Sequence, residues 1–328
     1  MNYRTRTIHS TDVDDVEVEL QYQPCDWMDM HKVKVGNKLV VAYNVLDDDY
    51  RNIDDLMGDC MGSIVDAYNG RDADRRELYE LAGCDRYGDK DLDAVWDKHE
   101  DEAIRRYVER LMTTYSVNEL REGIDDEEVI EAPEIEDWLR QDAHGADWGN
   151  VAYEKDMQAV LDDMWDEPAY WPGNPDAVFL DVYDHSGQCW SISGGGMQCR
   201  WDTSSGAGAW VPDKCLLEQI ESDVKEGKDR RTQCRHYAKQ FLDTYNDIIS
   251  GNIYGCVVQT HDLDGELIDE DSCWGFIGSE YAEQSLLDEF FNPAVKRAEK
   301  HWAEVQHLAE VKADLLEYLE PPQQGAQP

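Results

Sequence analysis

Apolar and polar residues alternate with period two along 16–23 (VEVELQYQ), which predicts a strand with one buried face. The next run, 32–45 (KVKVGNKLVVAYNV), holds two β-rich segments around Gly36-Asn37, a pair suited to a tight turn, and predicts a hairpin. Residues 55–70 (DLMGDCMGSIVDAYNG) read as helical, closed by Gly70 as a C-terminal glycine. In 91–115 Ile104, Val108, Leu111, Met112 and Tyr115 recur at three and four residues, which predicts a long amphipathic helix. Residues 121–140 are acidic and Pro-interrupted, an exposed loop leading into a short helix, and 153–167 predict a further helix.

From Ala177 the pattern is β again. AVFLDVYD, QCWSIS, GMQCRWDT and AGAWVP are four short runs separated by Gly- and Ser-bearing turns, an antiparallel meander. A helix is predicted over 230–250, followed by a hairpin, 252–278, whose Asp264-Gly265 suits a type I′ turn. This half should therefore hold at least six strands. The last helix runs from the cap Asn292, with Pro293 at its first position, to Leu319. Val295, Ala298, Trp302, Val305, Ala309, Leu316 and Leu319 fall on its heptad seam, which suits packing on a core or, as the lesser alternative, a homo-oligomer.

The predicted class is α+β: antiparallel meander sheets with helices packed on one side and a long C-terminal helix. The Pro- and Gly-bearing 169–175 (AYWPGNP) is the candidate boundary. It separates a strand-then-helix acidic region, 1–170, from a sheet-plus-helix region, 171–322, with a disordered tail at 323–328.

Charge changes the picture most. Thirty Lys and Arg face 73 Asp and Glu, a formal net charge of −43, of which −27 falls in residues 1–170. The 41% hydrophobic content is that of a folded protein, so the mean hydropathy of −0.70 reflects charge rather than disorder. Such a surface excludes ordinary affinity for nucleic acid or anionic membranes and favours a basic partner. Halophilic adaptation is a second account of the same excess, which the nine Cys and eleven Trp fit less well. Nine cysteines without CxxC spacing, no secretory leader and no apolar run of about 20 residues place the chain in the cytoplasm with reduced, mostly buried thiols.

Catalytic signals are thin, and the expectation is no enzyme, no cofactor and no metal. Asp184-His185-Ser186 are adjacent, yet a triad must converge in space. Gly194-Gly195-Gly196 lacks the following Lys and helix of a phosphate loop. His185, Cys189 and Cys199, and Cys234 with His236, lack zinc spacing, and in DLDGELIDEDS Gly265 comes too early for a calcium loop. The acidic clusters are the candidate partner-binding surface: Asp47, Asp48, Asp49, Asp54 and Asp55; Asp125, Asp126, Glu127, Glu128, Glu131, Glu134, Glu136 and Asp137; and Asp162, Asp163 and Asp166. Rows of carboxylates one helical turn apart, about 5.4 Å, have a charge density of the same order as a DNA strand.

Three segments, YDHSG, CRWDTSSGAGAWVP and IYGCVV…DSCWGFIG, between Phe179 and Gly278, resemble a pattern in uncharacterised proteins of phages and other mobile elements. The resemblance implies an accessory gene product in a bacterial cytoplasm and carries no activity or functional residue with it. Together these features lead to the expectation of an anti-defence inhibitor. It would bind a basic, nucleic-acid-handling host complex, such as a restriction or CRISPR nuclease or a helicase, as an acidic DNA mimic. The alternatives are an inhibitor that encases such a complex through shape and oligomerisation, or a small-molecule-binding protein or enzyme. The last would have its pocket beside the Gly-rich meander, with Trp190, Trp201 or Trp274 as walls.

Overall fold

The computed structural model describes residues 9–13, 16–47, 53–122 and 132–319. The fold is α+β, with antiparallel sheets and a long C-terminal helix. The described residues up to Asp59, with 185–189 and those from Gln240 onward, form one compact unit; Cys60–Asp184 and Trp190–Lys239 form the other. The division therefore does not fall at 170, because strand pairing joins segments distant in sequence. The predicted tail 323–328 lies outside the described residues.

In the first unit β1 (His9–Val13) and β2 (Val16–Leu20) make a hairpin. Strands β3 (His31–Val35) and β4 (Lys38–Leu46) are the predicted hairpin around Gly36. Strand β4 then pairs along its whole length with β9 (Ile253–Asp262), from Lys38↔Asp262 to Leu46↔Tyr254, and β10 (Leu267–Ile277) completes a four-stranded sheet. The near-continuous apolar run of β4 is explained by burial on both faces. Val40 and Ala42 join Tyr254, Cys256 and Val258 in one core with Phe290 and Ala298. Leu39, Val41, Tyr43 and Val257 join the other, under Val13, Val18 and Leu20 of the first hairpin.

The long C-terminal helix departs from expectation at its start. Helix α9 (Ser279–Ser285) continues through a π-helical turn, Leu286–Phe291, into α10 (Asn292–Leu319), and Asn292 has helical φ and ψ rather than those of a cap. Pro293 cannot donate to the preceding turn, and the wider π turn accommodates it inside a continuous helix. Along the heptad seam Ala298 is buried, and Val295, Trp302 and Val305 partly so; Ala309 and Leu316 are exposed.

The second unit carries the sheet β5-β8-β6-β7. Its strands are β5 (Ser63–Asp66), β6 (Val178–Asp184), β7 (Gln188–Ile192) and β8 (Thr203–Val211). The predicted helix over 55–70 is replaced by a short α1 (Ile53–Met57) and by β5, because Gly58 and Gly62 stand at φ 72° and 79° and end the helix before Ser63-Ile64-Val65. Of the four predicted meander runs three are strands. GMQCRWDT is loop as far as Asp202, so the second half holds five strands in two sheets rather than six in one.

Helices α2 (Asp72–Leu81), α3 (Leu92–Thr114), α4 (Val117–Glu122), α5 (Ala132–Ala143), α6 (Glu154–Trp165) and α7 (Lys214–Lys225) accompany this sheet, and α8 (Arg230–Ile249) begins here. Ile104, Val108 and Leu111 are buried as their spacing predicts, with Met112 and Tyr115 packed against the same core beside Ile135, Leu139, Met157 and Leu161. The helix kinks at His99, whose φ and ψ are −135° and 26°.

Candidate functional site: an acidic helical face

Because one side of α3 is committed to the core, its charged residues line the other. Asp91 caps the helix, accepting from the Ala94 amide at 3.0 Å. The three arginines of this face are each shared between carboxylates, whereas Lys98 is exposed and makes no ion pair among the described residues. Arg105 bridges Glu102 and Glu109 at 2.7 and 2.6 Å, and Arg106 bridges Glu102 and Glu167 at 2.8 and 2.5 Å. Arg110 lies 3.4 Å from Asp156 and 3.7 Å from Asp163. Hydrogen bonds from Arg105 and Arg106 hold the Glu102 carboxyl down to about 2, so it stays ionised.

The predicted acidic residues separate into groups. Asp162 and Asp166 clamp Lys90 at 3.5 and 2.9 Å, and that ammonium also sits over the Trp165 ring. Glu136 pairs with Arg140 at 2.9 Å. Asp47 is a correction: it is buried at the end of β4, its amide bonded to the Ile253 carbonyl at 2.8 Å, and it belongs to no surface. Glu134 and Asp137 are exposed on α5. Asp54 and Asp55 fall on α1, while Asp48, Asp49, Asp125, Asp126, Glu127, Glu128 and Glu131 lie outside the described residues.

Pattern reasoning missed Asp97 and Asp101, which are exposed on α3 on either side of the kink. They and Asp137 make no ion pair among the described residues. Isolated acids within an amphipathic helix form no run in sequence, so only the three-dimensional pairing of their neighbours singles them out.

No family model, curated protein or solved structure matches the chain.

The weakly charged ribbon 183–212 is organised by a buried carboxylate. Asp181 of β6, 2% exposed, accepts from Ser193 Oγ at 2.7 Å, the Gly194 amide at 2.9 Å, the Gly206 amide at 3.0 Å and Gln198 Nε2 at 3.3 Å. Burial alone would raise its pKa, but these donors outweigh it and hold the carboxyl below the usual range. Asp184 ends β6 and His185 and Ser186 occupy the turn after it, where Tyr68 donates to Asp184 and Ser186 Oγ to the His185 carbonyl. Trp190 and Trp210 are core, whereas Trp201 is 83% exposed with the Arg200 guanidinium over its ring. Proximity to the Gly-rich turns thus does not by itself bury an aromatic.

In the first unit a groove runs past Glu17, Glu19, Leu20, Asp264 and Glu266, with His261 in its lining. His261 is buried, its Nδ1 faces the Gly265 carbonyl at 3.2 Å, and its Nε2 is buried without a hydrogen-bond partner among the described residues. The predicted type I′ turn is instead a wider one. Gly265 has φ 85°, Asp264 is not in the left-handed region, and the Asp262 carboxylate accepts the Asp264 and Glu266 amides at 2.9 Å each. Those bonds give the Asp-rich hairpin a structural role.

Among the described residues, one group of three potential metal ligands lies within 4.8 Å: Cys60, Asp213 and Cys215. His185, Cys189 and Cys199 form no such group. Cys60 and Cys215 are joined as a disulfide, which departs from the expectation of uniformly reduced thiols.

Proposed function

We propose that the protein is a phage or mobile-element inhibitor of a host defence complex, acting in the bacterial cytoplasm. It binds the complex's basic, nucleic-acid-handling surface as an acidic decoy for DNA. The observation that carries this proposal is the excess of carboxylates on a rigid helical scaffold. Lys90, Arg105, Arg106 and Arg110 are each held between two acids, while Asp97, Asp101 and Asp137 remain exposed and make no ion pair among the described residues. A surface on which carboxylates outnumber cations attracts an external basic surface and repels phosphate.

The test is affinity purification from bacterial lysate with the full chain at low and high salt. It is paired with the variant Asp97→Lys, Asp101→Lys, Asp137→Lys, which breaks no ion pair seen among the described residues. A nuclease or helicase complex should be captured at low salt, released by salt and by duplex DNA, and lost by the variant. Capture that neither salt nor DNA releases would replace mimicry with encasement. No salt-sensitive partner at all would overturn the proposal.

A further inference from the structure

The ends of β5 and β8 present a second piece of chemistry, independent of the acidic face. Antiparallel pairing sets Ser63 opposite Val211, which brings the residues just before β5 beside those just after β8. Cys60 stands there in the left-handed region, φ 62°, and Cys215 lies in the first turn of α7, with Cα atoms 5.5 Å apart. Both side chains are exposed.

The disulfide is not the sole link between these segments. Asp213 caps α7 through Oδ1, accepting from Leu216 at 2.9 Å, and through Oδ2 accepts the Gly62 amide at 3.1 Å. Trp210 Nε1 donates to the Met61 carbonyl at 3.0 Å. Gly62 is required for this approach, since at φ 79° a Cβ would stand 2.6 Å from Trp210 Nε1 and 2.7 Å from the Val211 carbonyl oxygen. Reduction therefore leaves two thiols and a carboxylate converging from a backbone that stays in place.

We propose that Cys60, Cys215 and Asp213 are a redox-gated site for a thiophilic divalent cation of the zinc class. In the oxidised state the sulfurs are bonded to each other and cannot ligate. A small thiol reductant opens the site: the S–S bond breaks, two R–SH supply two electrons and two protons, and R–S–S–R leaves. The cation then displaces both thiol protons. Zinc–thiolate bonds of about 2.3 Å need sulfurs about 3.8 Å apart, which side-chain rotation provides. Two thiolates beside a carboxylate repel one another, and a divalent cation removes that repulsion, so deprotonation and binding are coupled. Three protein ligands leave the fourth position to water, and an exposed disulfide is open to exchange with solution thiols.

Zinc and cobalt(II) are the probes. The full chain, reduced and freed of reductant, should retain about one equivalent of zinc and show thiolate-to-cobalt charge-transfer absorption, whereas the oxidised chain should do neither. Cys60→Ser with Cys215→Ser should abolish both signals, and Cys189→Ser with Cys199→Ser should leave both intact. Asp213→Asn retains a capping oxygen and should weaken zinc by more than about tenfold, a change separable from loss of fold. Equal uptake by the Cys60/Cys215 variant, or none by the reduced wild type, would overturn the assignment.

Discussion

Gly194 donates its amide to the Asp181 carboxylate across 2.9 Å, and this contact ties the loop after β7 to the middle of β6. With Gly206, Ser193 and Gln198 donating to the same group, the carboxylate closes a segment that would otherwise bury unpaired backbone donors. Asp181→Ala should cost about 3 kcal/mol in chemical denaturation, and Asp181→Asn less, because one oxygen remains to accept. The folded pKa is lowered, so the contribution is complete above the unfolded value near about 3.9 and is lost as pH falls through the folded one. The gap between wild type and Asp181→Asn should therefore narrow in acid; a gap independent of pH would show that the charge plays no part.

Gly208 is a position where a methyl group cannot enter. A Cβ there would lie 2.5 Å from the Val65 carbonyl oxygen and 2.9 Å from Cζ3 of the buried Trp190. Gly208→Ala should push β5 away from β8 and cost about 1–3 kcal/mol in thermal unfolding. Gly187→Ala, where nothing lies within 4 Å, serves as the control and should change stability by less than about 0.5 kcal/mol.

His261 should make stability depend on pH near neutrality. Burial lowers its pKa below the usual value, against the opposing pull of the Gly265 carbonyl, Asp262 and Glu270. The unfolded chain takes up the proton near about 6.5 and the folded one only at lower pH. Stability is thus fully present above that value and declines as pH falls, by up to about 1.4 kcal/mol per unit. Denaturation midpoints at pH 7.5 and 5.5 should separate more for wild type than for His261→Leu, and equal separations would show that the buried ring titrates as it does in the unfolded chain.

What was legible in the chain was periodic and local. The α3 stripe of Ile104, Val108 and Leu111 and the Gly36 hairpin need only neighbours within a few residues, and both form as their spacing predicts. Pairing across long separations was not legible. Nothing in KLVVAYNVL names β9 as its partner, and Ser63-Ile64-Val65 reads as part of a helix until β8 supplies a ladder. The same limit applies to the sites. Acidic clusters are visible as runs, but whether Asp162 faces a partner or clamps Lys90 depends on a residue 72 positions away. Asp213 and the Cys60–Cys215 pair, separated by 155 residues, carry no spacing signal at all.

The thiols should divide sharply by reactivity, because alkylation requires the thiolate. Cys256 is buried in the core of the first unit, donating to Asn44 Oδ1 at 3.3 Å, and burial pushes its pKa up to about 12. At pH 8 that leaves roughly one molecule in ten thousand ionised. Burial, helped by the charge of Asp176, pushes Cys234 up to about 11, and Cys25 is buried as well. Cys189 and Cys273 are exposed. Iodoacetamide added to the native chain, with sites read by peptide mass spectrometry, should label Cys189 and Cys273 within the time that leaves Cys25, Cys234 and Cys256 intact. Denaturant should then expose Cys25, Cys234 and Cys256. Cys60 and Cys215 should join the reactive set only after a reductant is added, and protection of both by zinc would connect their chemistry to the proposed site. Native labelling of Cys256 at the rate of Cys189 would mean that the sheet opens far more readily than its packing on both faces allows.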